Sequence, residues 1–566
     1  MSIKKKIEAI IKKVLGRELP VEVSIPTHGS FGHYSTNVAM RLAPSEKKAP
    51  LQIAKDLAEK ISFIAPKGMF AKVEAVPPGF INFWLSEEFL RKELGAIYKK
   101  RAKYGESNLG RARKIIVEYS QPNIAKRMHV GHIRSTIIGD ALANIYDALG
   151  YKVIRWNYLG DWGTQFGKLI SAYKWWGDRG AVKKDPINTL QALYVRFHEE
   201  MKARPELESE GREEFRKLEM GDRENRALWK WFKEESLKEF EKIYVRLGIH
   251  FDTYIGESFF ERDMAPLVAE LKEMGLARKS EGAVIVPLEK FGLPPAVVEK
   301  SDGGSIYLAR DIAGLRYRVK KYKPNRMLYV VGNEQALHFE QLFAIASLLG
   351  FKKGDFAHVK FGSILGEGGK KLSTREGRVV MLDEVVEKAV SLAGKIVEKK
   401  NSGLSEKKKK LIAEAVGIGA LKYNDLKEHR TTDIVFDWEK MLDTHGMSGP
   451  YLQYTYARLS SIIKKAKRIG KTDLKHLSSP EELALIKKLL DFPEEIEKSA
   501  EQFTTNNIAL YLYELANLAN RFYESTPVLK DENALRRNAR LVLIESVRSA
   551  LKKGLGLLGI EAPEEI

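Results

Sequence analysis

The chain has 566 residues, enough for three or four domains that each bury a core. It contains no cysteine, which excludes disulfides, thiolate catalysis and cysteine-ligated zinc. Ninety-five Lys and Arg against 75 Asp and Glu leave a formal charge of +20, a surplus that favours a polyanionic partner such as nucleic acid, the other reading being an ion-paired, heat-tolerant surface.

The N-terminus reads as a folded helix, not a signal peptide: Ile3, Ile7, Ile10, Ile11, Val14 and Leu15 share one face, with lysines between them. Short alternating strands at 21–25 and 80–85, and the break at Pro77-Pro78-Gly79, predict a small α+β domain over residues 1–110. At Lys114 the texture changes. KIIVEYS is a compact apolar run of the buried parallel-strand kind; a helix ends near Gly150, and YKVIRWNYLG is a second strand. Strand, helix and strand at this spacing make a βαβ unit. The charged helical stretch at 188–241, with Trp229, Trp231 and Phe232, reads as an insertion, and strand signals return at 283–287, 326–331 and 358–361. Beyond Leu382 strand signals nearly vanish, and the lysine run at 407–410 reads as a solvated first helical turn. The expected fold is therefore multidomain, α/β plus all-α. It has a Rossmann-type doubly wound domain over 111–385 with an insertion at about 170–290, the N-terminal α+β domain, and a helical bundle over 386–566. No apolar run approaches the roughly 20 residues that cross a bilayer, so no membrane partner is expected and the cytoplasm is the expected location.

A nucleotide in such a unit binds where the first strand ends and the next helix begins. Here that junction is QPNIAKRMHVGHIRSTIIGD, with neither G-x-G-x-x-G nor a P-loop. It carries His129 and His132 on one helical face, with Gly131 between them where a flat ring needs to approach the backbone. Two imidazoles suit phosphate oxygens whose charge shifts during attack at the α-phosphorus. Alone they are equally a metal pair lacking its third ligand. A second segment, GEGGKKLSTREG, is glycine-rich and basic; it suits closure over a polyphosphate with Lys371 on the leaving pyrophosphate, though in isolation it reads as a surface loop. The two segments together, in this order, point to ATP.

With these residues in view the sequence resembles a known family. HVGH is similar to the His-Ile-Gly-His signature of class I aminoacyl-tRNA synthetases, and KLSTR to their Lys-Met-Ser-Lys-Ser loop. Four longer strings resemble arginyl-tRNA synthetases: SQPNIAKRMHVGHIRSTIIGD, NYLGDWGTQFG, YLARDIA and SGPYLQYTYARL.

The resemblance implies an arginine–tRNA ligase that forms arginyl-adenylate from ATP, with Mg²⁺, and passes arginine to the 3′-terminal adenosine of tRNA. It implies that His129, Gly131 and His132 hold ATP and that Lys371 and Ser373 clamp the phosphates. The chain departs from the family loop at Thr374, where a second lysine is usual. Arginyl enzymes commonly place one before the histidine signature instead, and Lys126 stands there, with Arg375 a second candidate. For the arginine side chain, a permanent cation, the resemblance nominates the carboxylates of Glu118 and Asp311, with Tyr307 against the side chain and Asn123 and Gln335 on its backbone groups. A salt bridge to Arg310 or Arg316 is the alternative for Asp311. The flanking domains are expected to contact tRNA: Phe80 and Asn82 as an exposed aromatic and amide at the elbow near the D-loop, or Phe80 as a core aromatic; and Tyr523 in an anticodon-binding bundle where Arg458 is structural. The resemblance further implies a monomer, and activation that needs bound tRNA. Synthesis of another aminoacyl-tRNA, or tRNA binding without catalysis, are the competing functions.

Overall fold

The computed structural model describes residues 2–17, 19–300, 307–366, 380–400 and 403–566. Its centre is a sheet of four parallel strands in the order Phe356–His358, Arg326–Tyr329, Lys114–Glu118 and Lys152–Trp156. Ile115, Ile116 and Val117 are all buried, which is why this strand is apolar throughout: helices cover both faces of a parallel sheet. Glu118 is level with Tyr329 on one side and Trp156 on the other, so three strand ends form one platform. Connections leave the two middle strands in opposite directions, through Gly131–Ala148 on one side and Ala336–Leu348 on the other. The crevice above that point, between Lys114–Glu118 and Arg326–Tyr329, is where open α/β sheets receive ligands.

The first, second and last strands expected of this sheet occupy Lys114–Glu118, Lys152–Trp156 and Phe356–His358; the last lies two to three residues earlier than its pattern suggested. Between the second and third strands run the long helices Thr164–Trp176, Pro186–Ala203, Glu206–Glu219, Arg223–Arg246 and Glu261–Glu273, then a three-stranded antiparallel sheet built on Ala283–Val286, then the helix Tyr307–Tyr322.

The N-terminal helix Ile3–Leu15 buries Ile3, Ile7 and Ile11 beside an antiparallel sheet in which Phe80–Leu85 is an inner strand between Tyr34–Thr36 and Phe70–Val76. This unit rests on the C-terminal helices, where Tyr34 Oη donates to Asp491 at 3.2 Å and Tyr104 Oη donates to the Leu489 carbonyl at 2.5 Å.

The C-terminal region is helical apart from Ile434–Val435, which pairs in parallel with Ile364–Leu365. The lysine run at 407–410 departs from expectation at one position. Lys409 is buried and bonds Glu398 and Glu406, because the helix Glu406–Leu426 turns that side chain toward its antiparallel neighbour. Deeper in the same helix Lys422 joins distant parts: its ammonium donates to the carbonyls of Leu247 at 2.6 Å and Gly559 at 2.5 Å, with Asp140 as the nearby charge. Burial pulls this lysine below its ordinary pKa and pushes Asp140 above its own.

Candidate nucleotide and amino-acid site

The strand Lys114–Glu118 runs through an irregular segment into the helix Gly131–Ala148, whose first turn has no side-chain cap. Its first N–H groups are taken within the chain, Gly131 by His129 Nδ1, His132 by the His129 carbonyl and Ile133 by the Val130 carbonyl. His129 and His132 lie here with ring centroids 4.0 Å apart. The Gly131 N–H donates to His129 Nδ1 at 3.1 Å, so the neutral ring carries its proton on Nε2 and presents a donor. His132 Nδ1 accepts from the His129 N–H at 3.2 Å. Burial lowers His132 to about 4, with the neighbouring His129 adding to the effect, and burial lowers His129 as well. Both rings are therefore neutral near pH 7 and act as hydrogen-bond donors, not as cations.

A Cβ on Gly131 would stand 2.8 Å from Cε1 of His129. The chain's own imidazole occupies the space that a side chain at 131 would need.

Beside the pair opens a cavity of about 620 Å³. Lys126 and Gly131 line it from the strand–helix junction, Gln191 and Tyr194 from the helix Pro186–Ala203, and Glu334 from the turn after the third strand. The Lys126 ammonium lies 5.5 Å from the Tyr194 ring centroid. Arg127 is occupied elsewhere, bonding both oxygens of Asp383 at 2.8 and 2.7 Å. Arg134, one turn into the helix, is fully buried; it bonds Asp425 twice at 3.1 Å and reaches the carbonyls of Thr432 and Arg430.

Across the platform the second cluster forms. Glu118 is buried at its strand end, accepts from Gln121 Nε2 at 2.7 Å, and pairs with Arg318. Arg318 comes from the helix Tyr307–Tyr322, as does Asp311. Asp311 accepts from His338 Nε2 at 2.7 Å, and neither Arg310 nor Arg316 is its partner: Arg310 pairs with Glu257 at 3.0 Å and Arg316 with Glu270 at 2.6 Å. The salt-bridge alternative for Asp311 is therefore replaced by an imidazole. Tyr307 opens the same helix and is 67% exposed. Asn123 and Gln335 are exposed on the rim, Asn123 bridging to Gly160 in a β-bridge and Gln335 closing the turn Asn333–Gln335. Lys371, Ser373, Thr374 and Arg375 lie outside the described residues.

The expected pair on the N-terminal sheet needs correction. Asn82 is buried and accepts from Ser35 Oγ at 2.7 Å, because its strand is an inner one and Ser35 stands opposite it in register. Phe80 is half-buried at the start of that strand. Tyr523 is 39% exposed, with the Arg458 guanidinium 5.9 Å from its ring centroid. Sequence reading missed Tyr194, Glu334, Arg318 and His338. Only Arg318 left a signal: it stands seven residues after Asp311, on the same helical face.

Three family models match the chain: tRNA synthetases class I (R), catalytic domain, at residues 93–438; the DALR anticodon binding domain at 452–566; and the arginyl tRNA synthetase N terminal domain at 1–85. The chain is 43% identical over 562 residues to an arginine–tRNA ligase of Ligilactobacillus salivarius, covering 99% of this chain and 98% of that protein. Among solved structures it is similar to the Thermus thermophilus arginyl-tRNA synthetase, with TM-score 0.85, 28% identity and full coverage of both chains. It is also similar to the Plasmodium falciparum enzyme, with TM-score 0.82 and 28% identity, covering 100% of this chain and 98% of that one.

Proposed function

The chain belongs to the arginyl-tRNA synthetases of class I and ligates arginine to tRNA with consumption of ATP, and within that activity we propose a division of labour among its residues. In the first step an arginine carboxylate oxygen attacks the α-phosphorus of ATP and pyrophosphate leaves. In the second, a hydroxyl of the tRNA's 3′-terminal adenosine attacks the carbonyl of the adenylate and AMP leaves. His129 and His132 donate to phosphate oxygens as charge moves toward the leaving pyrophosphate. Gly131 leaves room for His129. Lys126 supplies the mobile positive charge on the phosphates, a role assigned also to Lys371 with Ser373. The observation that carries this reading is the neutral imidazole pair, whose His129 lines a cavity that Lys126 also lines.

Arginine is assigned to the neighbouring platform, with Asp311 and Glu118 around its guanidinium, Tyr307 against its side chain, and Asn123 and Gln335 on its ammonium and carboxylate. The closeness of Glu118, at its strand end, to Asp311 and Arg318 of the helix Tyr307–Tyr322 supports this. Mg²⁺ is proposed to arrive on the ATP phosphates, where it neutralises charge. Among the described residues no group of three His, Asp or Glu gathers to hold a metal.

The N-terminal domain, through Phe80 and Asn82, is proposed to meet the tRNA elbow; given its burial, Asn82 would act by fixing the strand that carries Phe80. Tyr523 is proposed as an anticodon-stacking residue. We further read the enzyme as a cytoplasmic monomer; no described helix is long and apolar enough to cross a membrane. The test is arginine-dependent pyrophosphate exchange, which should stay near background until tRNA is added. Strong exchange without tRNA would remove the proposed tRNA requirement, and exchange with a different amino acid would remove the arginine assignments.

A further inference from the structure

Two carboxylates serve the proposed arginine site, but their surroundings differ. Glu118 is 4% exposed and Arg318 3%. The Arg318 guanidinium sits among three rings, 4.4 Å from the centroid of Trp156, 5.3 Å from Tyr158 and 5.6 Å from Tyr329. Trp156 and Tyr329 are the residues level with Glu118 on its two neighbouring strands, so sheet register builds the cage around the carboxylate. A guanidinium enclosed this way is stabilised by its counter-ion and by the ring faces, and without them its burial would be strongly unfavourable. Asp311 is different: its partner among the described residues is the imidazole of His338, and it is a quarter exposed at the side chain.

We infer that Arg318 is a positioning residue of the arginine site: it fixes Glu118 and cancels its charge, leaving Asp311 to read the positive charge of the substrate. The inference rests on the reading of Glu118 and Asp311 as arginine ligands. Glu118 then acts as a fixed hydrogen-bond acceptor of local net charge near zero, and selectivity for a cation over a neutral isostere resides in Asp311. Burial pushes the Glu118 carboxyl up, with Arg318 the main opposing influence and Asp311 and Gln121 the other groups facing it. Arg318 is itself opposed by burial and held charged by Glu118, with Tyr329, Tyr158 and Asp311 around it.

The experiment measures aminoacylation kinetics for arginine, and competition by citrulline, from pH 6 to 8.5 in the full-length enzyme with tRNA. Arg318→Gln should raise the arginine KM at least thirtyfold with most of the loss in KM, not kcat. Its kcat/KM relative to the parent should climb with pH, as Glu118 regains its charge. Arg318→Lys should keep the parental pH profile with a smaller KM increase. An unchanged KM, or a loss confined to kcat with a parental pH profile, overturns the inference. Should Arg318→Gln fail to fold, the neutral pair Glu118→Gln/Arg318→Gln decides the matter. It should keep the arginine-over-citrulline preference within threefold, whereas Asp311→Asn should reduce it a hundredfold; equal losses in both overturn the inference. Glu118→Gln separates the two levels. If it leaves the arginine KM unchanged, the assignment of Glu118 to arginine fails; if it raises KM while Arg318→Gln does not, only the role of Arg318 fails.

Discussion

Gly131 and His129 share one space: the imidazole lies where a side chain at 131 would begin, and the Gly131 N–H holds its Nδ1 at 3.1 Å. Alanine at 131 must therefore displace the ring or lose that hydrogen bond. Gly131→Ala is expected to lower the activation rate about a hundredfold, the scale of losing one preorganised donor. Because alanine also favours a helix start over glycine, unfolding stability should change by less than about 1 kcal/mol. Single-turnover adenylate formation and denaturant titration measure the two; a large stability loss with an intact rate would refute the account.

His132 makes stability depend on pH. Its folded-state pKa, lowered to about 4 by burial, lies below the ordinary value of about 6.5. The unfolded chain therefore binds the proton first, and the contribution present above about pH 6.5 is lost as pH falls toward 4, by up to about 3 kcal/mol. His132→Asn should lack this slope. Unfolding free energies of the two proteins at pH 7 and 4.5 compare it directly, and parallel losses would show that His132 is not the group responsible.

Lys126 carries no ion pair among the described residues and lines the cavity beside Tyr194. Lys126→Ala should slow adenylate formation about a hundredfold with the arginine KM nearly unchanged, since a contact tightened only in the transition state lowers kcat and kcat/KM together. A pure rise in arginine KM would place the lysine on the amino acid.

Much of this arrangement is legible in sequence, for a physical reason. A parallel strand buried on both faces writes an unbroken apolar run, so Lys114–Glu118 is visible at once. Ile434–Val435 is two residues long and carries no period, which is why it is absent from the expectation. The site divides along the same line. His129, Gly131 and His132 are neighbours in the chain and legible together. Arg318 meets Glu118 only because two elements two hundred residues apart close on each other, and Tyr194 reaches the cavity from within the charged helical stretch that reads as an insertion. The burial of Asn82 likewise follows from strand order, which alternation along a single strand does not encode.

Arg134 anchors the histidine-bearing helix to Asp425 in a fully buried ion pair, its one Nε–H shared between both carboxylate oxygens. Removing one partner strands the other charge, so Asp425→Asn should cost about 3–5 kcal/mol. A double replacement by apolar residues of similar volume should recover much of that loss. Chemical denaturation of the three proteins checks the pattern, which fails if the single and double variants are equally destabilised.

Tyr523 stands partly exposed beside Arg458. If a base stacks there, Tyr523→Ala should weaken tRNA by about 1–3 kcal/mol, read as a higher KM for tRNA with kcat and the arginine KM unchanged. An unchanged tRNA KM would assign the ring to the bundle surface alone.

The Lys422 ammonium is satisfied by carbonyls from residues 247 and 559 and lies beside the carboxylate of residue 140. On the ribosome these groups emerge in widely separated order, and the catalytic helix is translated long before the glycine that completes the node. Until Gly559 has been made, the nascent chain holds a lysine whose native pocket lacks one wall. The packing of the histidine-bearing helix around this node is thus complete only once residue 559 has been made.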